Sequence, residues 1–143
     1  MKYPFNKANK IKLVSVLKLS DSSTNKTESI VYRIPITNDS LIASNVKSIV
    51  TLDSSQINRL TDILYNYGIK GNKYTSSIST GVGLDGVIFF TNSKGKIVEY
   101  IEICFECGET NIKTSKTKQN IGIPCNQKVE MLRTFFIDTG IKF

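Results

Sequence analysis

Alternating apolar and polar residues in the first third of the chain predict three β-strands. The predicted strands cover residues 10–20, 29–36 and 46–52. In the first of them, Ile11, Leu13, Leu17 and Leu19 form one alternating apolar set. Pro35 places the second strand at a sheet edge or at a strand end, because proline has no N–H to donate to a neighbouring strand.

A helical pattern follows the third strand. Asp53 and Gln56 have the spacing of a capping box, in which two side chains bind backbone N–H groups at a helix start. The apolar residues that follow recur at helical spacing and form one stripe, which comprises Ile57, Leu60, Leu64 and Tyr67. Gly68 stands where the helix is expected to end. Residues 69–85 then form a long, polar, glycine-rich connection.

The last part of the chain predicts a β-hairpin and a second helix. Strands over residues 86–91 and 96–105 flank a four-residue turn in which Gly95 supplies a positive φ. A short strand follows at residues 111–114. Residues 125–139 have helical periodicity, with a stripe of Val129, Leu132 and Phe136, and Gly140 ends the helix. The order β-β-β-α-β-β-(β)-α predicts one α+β domain over residues 1–143, with a mainly antiparallel sheet and two helices packed on one face.

Composition narrows the possible functions. The chain of 143 residues has no histidine, which excludes Ser-His-Asp and Cys-His catalysis and His-ligated metal sites. The net charge of +7 favours an acidic partner. Lysine supplies most of the positive charge and only Arg33, Arg59 and Arg133 carry a guanidinium group, so specific reading of nucleic-acid bases is not favoured. The predicted interaction surface consists of five lysines in polar segments: Lys70, Lys73, Lys113, Lys116 and Lys118.

Three cysteines, Cys104, Cys107 and Cys125, allow three interpretations. They are structural sulfurs, with Cys107 and Cys125 close together as buried thiols or as one disulfide that pins the last helix. Alternatively they bind a metal, although three ligands without histidine leave a zinc site incomplete. A redox pair is the third interpretation, but the nearby Glu102 and Glu106 would raise a thiol pKa and disfavour the thiolate.

The segment from Gly81 to Gly86 reads G-V-G-L-D-G and matches the G-x-G-x-x-G pattern. In dinucleotide-binding folds this loop opens a helix, whose N-terminus holds the phosphates. Here a predicted strand follows, so we interpret the glycines as a turn or a flexible loop. We therefore predict no cofactor, no metal and no catalytic residue.

The segments Ile88–Cys107 and Cys125–Ile141 resemble a family of small uncharacterised proteins from Bacteroidetes. The shared pattern is a hairpin that ends in I-C-F-x-C and a last helix that ends in F-F-x-x-x-G-I. Members of this family often look exported or lipid-anchored, and no activity is established for them. The resemblance therefore supports the fold boundary and implies no reaction.

These observations favour a bacterial protein-interaction module, of an immunity type or an accessory type, that binds an acidic surface without catalysis. A cysteine-based metal or redox protein is the alternative, and a nucleic-acid binder is a further one. No apolar run is long enough to cross a membrane, and no signal peptide precedes the first strand. The chain as written is therefore predicted to be cytoplasmic, or periplasmic or lipid-anchored if a leader was removed. The sequence does not indicate an oligomeric state.

Overall fold

Seven strands and two α-helices form the described part of the computed structural model, which comprises residues 4–17, 36–66, 84–105, 112–114 and 126–143. The strands are β1 (Lys10–Val16), β2 (Ile36–Thr37), β3 (Ser40–Leu41), β4 (Val46–Thr51), β5 (Gly86–Thr91), β6 (Ile97–Ile103) and β7 (Ile112–Thr114). The helices are α1 (Ser54–Asn66) and α2 (Asn126–Asp138). Five strands form one antiparallel sheet in the order β4-β1-β5-β6-β7, whereas β2 and β3 form a separate pair. The predicted α+β class is confirmed.

Strand β1 lies inside the sheet, between β4 and β5, and from Leu13 to Val16 it is buried on both faces. Ile11 and Leu13 face the larger apolar cluster between the sheet and the helices, here called the main core, as their alternation predicts. The other strand and helix residues of the main core are Leu60, Ile63, Leu64, Ile88, Phe90, Ile101, Ile103, Val129, Leu132, Phe135 and Phe136. Ser15 takes the next position of this alternation, and its hydroxyl donates a hydrogen bond of 2.5 Å to the carbonyl of Lys142. Leu17 follows the end of the strand and is 37% exposed, so the predicted apolar set is shorter than expected. Leu19 lies outside the described residues.

The capping box at the start of α1 is confirmed. The Asp53 carboxylate accepts a 2.8 Å hydrogen bond from the Gln56 N–H, and the Gln56 side-chain oxygen accepts one of 2.9 Å from the Asp53 N–H. Because both side chains satisfy N–H groups that have no partner within the helix, they fix its first residue. Of the predicted stripe, Leu60 and Leu64 are buried and Ile57 packs against the core, while Tyr67 lies outside the described residues.

Helix α2 covers the same face of the sheet as α1. The predicted stripe of Val129, Leu132 and Phe136 is buried, and so is the neighbouring Phe135. Gly140 ends the helix with φ of +94°, and the N–H of Ile141 donates to the carbonyl of Phe136. This is the left-handed C-terminal motif that the glycine predicts. The two helices on one face of the sheet are therefore confirmed.

Two side chains show how closely the helix layer packs. A Cβ atom added to Gly86 would lie 2.7 Å from a ring carbon of Phe136, so α2 approaches β5 more closely than a larger residue allows. Lys128 is fully buried, and its ammonium group donates a 2.7 Å hydrogen bond to the carbonyl of Leu64. That carbonyl lies in the last turn of α1, where backbone acceptors lack partners within the helix. Lys128 thus links the two helices through a polar contact.

The opposite face of the sheet carries a smaller apolar cluster, here called the second core. Its buried members are Val14, Val16, Leu84, Val87 and Phe89. The hairpin formed by β2 and β3, residues 36–41 and here called the strap, packs on this cluster through the partly buried Ile36 and Leu41. Its turn residues Asn38 and Asp39 have φ of 49° and 59°, values that a two-residue hairpin turn requires.

The strap differs from the sequence prediction. A strand over residues 29–36 is predicted, but of this segment only Ile36 lies within the described residues, as the first residue of β2. The return strand β3 was not predicted, because two residues are too few to show an alternating pattern. The turn between β5 and β6 agrees with prediction, since Gly95 has φ of +75° and the Asn92 side chain accepts hydrogen bonds from the N–H groups of Lys94 and Lys96.

Candidate basic interaction surface

Five lysines gather at one end of the sheet and form what we call the lysine end. They come from the turn before β1, from β1 itself and from the β5–β6 turn, and they are Lys7, Lys10, Lys12, Lys94 and Lys96. The antiparallel register brings these segments together. Lys10 lies opposite Thr91, the last residue of β5, and the turn at residues 92–96 follows directly.

The orientation of these lysines follows from the pleat of β1. Ile11 and Leu13 point to the main core, so Lys10 and Lys12 point to the opposite face, on which the second core lies. Lys12 is half-buried beside Phe89, its partner in β5, while Lys7, Lys10, Lys94 and Lys96 are exposed. Four lysines are thus exposed to solvent on strand and turn segments at this end of the sheet.

Few negative charges accompany the lysine end. Asp39 in the strap turn is exposed, Asp53 caps α1, and the buried Glu99 accepts a hydrogen bond from the N–H of Tyr100. Within the described part of the chain, none of the five lysines forms an ion pair, and the Lys96 ammonium group instead lies 3.5 Å from the Asn38 carbonyl oxygen. The described residues around this end of the sheet therefore leave its lysines without a paired carboxylate.

Tyr100 lies on the face of the sheet that carries the second core, and its ring centre is 6.3 Å from that of Phe89. Burial, and then the negative charges of Glu102 and Glu99, raise the pKa of the Tyr100 hydroxyl above its usual value of 10.0. The phenol therefore stays neutral near pH 7 and adds no negative charge beside the lysines. Its ring offers an apolar surface next to them.

This surface is not the one that the sequence predicted. Lys70, Lys73, Lys116 and Lys118 lie outside the described residues, and of Lys113 only the backbone is described, as the middle residue of β7. The predicted interaction surface therefore stays a prediction. The lysine end was missed because its members are far apart in the chain. The pairing of β1 with β5, which no local sequence pattern indicates, brings these members together.

The described cysteine, Cys104, follows β6, is 7% exposed and forms a disulfide. The chain has two other cysteines, Cys107 and Cys125, and both lie outside the described residues. Because Cys104 takes one of them as its partner, the predicted Cys107–Cys125 disulfide is wrong. A sulfur held in a disulfide is not a thiolate, so Cys104 in this state neither ligates a metal nor acts as a nucleophile.

Of the glycine motif, Gly81 and Gly83 lie outside the described residues, and Gly86 begins β5. The last glycine therefore opens a strand and not a helix, as predicted. Asp85, one residue earlier, accepts a 2.7 Å hydrogen bond from the N–H of Phe105 through its carboxylate, and so ties the start of β5 to the end of β6. The contact of Gly86 with Phe136 gives this glycine a packing role.

A groove of about 390 Å³ lies between the outer sides of α1 and α2. Its charged side chains already have partners. Arg59 pairs with Asp138 at 2.8 Å, Glu130 lies 3.5 Å from Arg133, and Asp62 accepts a hydrogen bond from Asn66. The groove therefore offers a partner fewer available charges than the lysine end does.

No family model, curated protein or solved structure matches this chain. Among the described residues, no helix is both long enough and apolar enough to cross a bilayer.

Proposed function

We propose that the protein is a non-catalytic interaction module that binds an acidic surface of another protein through the lysine end. The observation that supports this proposal is the convergence of five lysines from paired strands and adjoining turns, none of which forms an ion pair with another described residue. A cluster of like charges attracts an oppositely charged partner and helps to orient it, because complementary potentials steer the encounter. An immunity-type or accessory role of a bacterial protein fits such a surface.

A protein partner is favoured over nucleic acid by the kind of cation present. None of the described cations at this end of the sheet is an arginine, whereas reading of base edges relies on the planar guanidinium group. The two described arginines, Arg59 and Arg133, lie in the helices and contact the rings of Phe135 and Phe105. They are therefore not available to a ligand at the lysine end. We also propose that the protein belongs to the family of small Bacteroidetes proteins that its sequence resembles.

The disulfide at Cys104 supports a proposal about the compartment in which the protein meets its partner. Disulfides persist in oxidising compartments and are rare in a reducing cytosol. We therefore place the encounter with the partner outside the cytoplasm, which is the exported alternative that the sequence left open.

The test compares two double charge reversals. Lys10→Glu/Lys94→Glu changes the lysine end, and Lys47→Glu/Lys142→Glu changes two exposed lysines elsewhere. Binding of fluorescent poly-glutamate, of a DNA duplex and of anionic lipid vesicles is measured at two salt concentrations. We expect poly-glutamate to bind the wild type and the control variant alike, and the lysine-end variant about tenfold or more weakly, since two attractive charges become repulsive.

The partner itself is sought in extract of the native host, by carbodiimide cross-linking, which joins lysine amines to carboxylates. We expect a protein that becomes cross-linked to Lys10 or Lys94 of the wild type. The control variant should still capture this protein, and the lysine-end variant should not. Stronger binding of DNA or of vesicles than of poly-glutamate would contradict the proposal. Equal binding of poly-glutamate to both variants would move the site away from the lysine end.

A further inference from the structure

We propose that the strap, residues 36–41, opens as a unit and uncovers apolar surface beside the lysine end, so that the preferred ligand is an acidic segment that also carries apolar side chains. This inference rests on the proposed function and names the class of ligand that the same surface takes.

The strap is weakly built. It consists of two strands of two residues each, and it is not part of the five-stranded sheet. Isolated two-stranded hairpins are at best marginally stable in water, so the strap depends on what it lies against. Its two described polar links to the sheet are a 2.8 Å hydrogen bond from the Ile97 N–H to the Asp39 carbonyl and the 3.5 Å contact from Lys96 to the Asn38 carbonyl.

The surface beneath the strap is firmly built. Val14 and Val87 are fully buried and Phe89 is 1% exposed, and all three belong to strands that are paired on both sides. By contrast, Ile36 and Leu41 of the strap are only partly buried against them. Segments with little buried apolar surface open at lower free energy than the sheet to which they attach. The strap can therefore leave while the strands beneath it stay paired.

The strap lies next to the lysine end, so its opening would change the surface there. The strap turn contacts Ile97 and Lys96, and Lys96 is a member of the lysine end. An open strap therefore places Phe89 and Tyr100 next to Lys12 on one continuous face, because Phe89 pairs with Lys12 and with Tyr100 in the sheet. Such a face has cations around an apolar centre, which fits a segment with carboxylates around apolar side chains.

The opening is tested without any ligand, by amide hydrogen exchange in increasing urea below the unfolding transition. We expect the Ile97 N–H to exchange at least tenfold faster than the Ile101 N–H and to be insensitive to urea, since a small opening exposes little surface. Ile101, which pairs with Ile88 inside the sheet, should respond steeply. If both amides exchange at one rate with one urea dependence, the strap opens only with the whole molecule and the inference is wrong.

The ligand class is tested with poly-glutamate and a glutamate–tyrosine copolymer. Leu41→Ala weakens the strap, and Ile137→Ala, at a side chain 57% exposed on α2, is the matched control. We expect the copolymer to bind the Leu41→Ala variant several-fold more tightly than it binds the wild type and the control. Bound copolymer should also speed hydrogen exchange of the Ile97 N–H. Poly-glutamate should bind all three proteins alike.

The outcomes separate the two proposals. The strap inference is wrong, and the proposed function stands, if three results are found together. These are binding of poly-glutamate at the lysine end, an affinity for the copolymer that Leu41→Ala does not change, and protection of the Ile97 N–H that the copolymer does not alter. Absence of binding by either polymer overturns the proposed function. Should Leu41→Ala fail to fold, the exchange of Ile97 in the wild-type protein, with and without copolymer, still decides the question.

Discussion

At the scale of single residues, Gly86 and Phe136 form a close contact between α2 and the sheet. The missing side chain at Gly86 leaves room for the Phe136 ring, which is fully buried and also lies in edge contact with Phe105 at 6.0 Å between ring centres. A backbone oxygen, that of Val14, would lie 3.3 Å from the added Cβ. Neither neighbour can move away without disturbing the main core or the β1 backbone.

We therefore expect Gly86→Ala to lower the free energy of unfolding by about 1–3 kcal/mol, the usual result of overpacking a close-packed interior. Urea unfolding followed by circular dichroism measures the loss. In a Phe136→Leu background, which shortens the clashing side chain, the same substitution should cost at least about 1 kcal/mol less, because the two residues are coupled. Equal losses in both backgrounds would show that the ring of Phe136 is not what excludes the larger residue.

At the scale of elements, the parts that follow from local sequence were predictable and the parts that depend on distant pairing were not. The capping box spans four residues and the β5–β6 turn spans five, so the residues that determine them are adjacent in the chain. The lysine end depends on the pairing of Lys10 with Thr91, which are 81 residues apart. No local pattern indicates that register, and the strap is too short to show a periodicity of its own.

The capping box supports a prediction for α1. Asp53→Ala removes the carboxylate that accepts from the Gln56 N–H and should lower the free energy of unfolding by about 1 kcal/mol. Asn58→Ala is the control, since Asn58 is exposed on the same helix, and it should change stability by less than about 0.5 kcal/mol. Thermal unfolding of both variants measures the difference. Equal stabilities would mean that packing alone sets the start of α1.

At the scale of the whole molecule, the disulfide at Cys104 joins the end of β6 to one of the cysteines outside the described residues. The sequence could not indicate this pairing, because three cysteines allow three disulfides and the strand pattern does not choose among them. Cys104 is nearly buried and is followed by Phe105, which lies against Phe136 and Phe143. The disulfide therefore constrains the chain next to the aromatic part of the main core.

Thiol titration of the unfolded, unreduced protein should find one free thiol per chain, and three after reduction. Cys104→Ser should lower the free energy of unfolding by about 2–4 kcal/mol, as loss of a native disulfide does. The matched control is whichever single Cys→Ser variant abolishes the free thiol, and it should keep near wild-type stability. Three titratable thiols before reduction would contradict the disulfide and return the metal and redox alternatives to consideration.

The hydrogen bond from Ser15 to Lys142 spans 127 positions of the chain. Nearly the whole polypeptide must therefore be available before an early strand acquires its last polar contact. Contacts between residues so far apart in the chain slow folding, because large loops have to close before these contacts contribute. Severing the chain between α1 and β5 would leave two fragments, each with an incomplete sheet, and their reassociation would offer a direct measure of how strongly the two halves depend on each other.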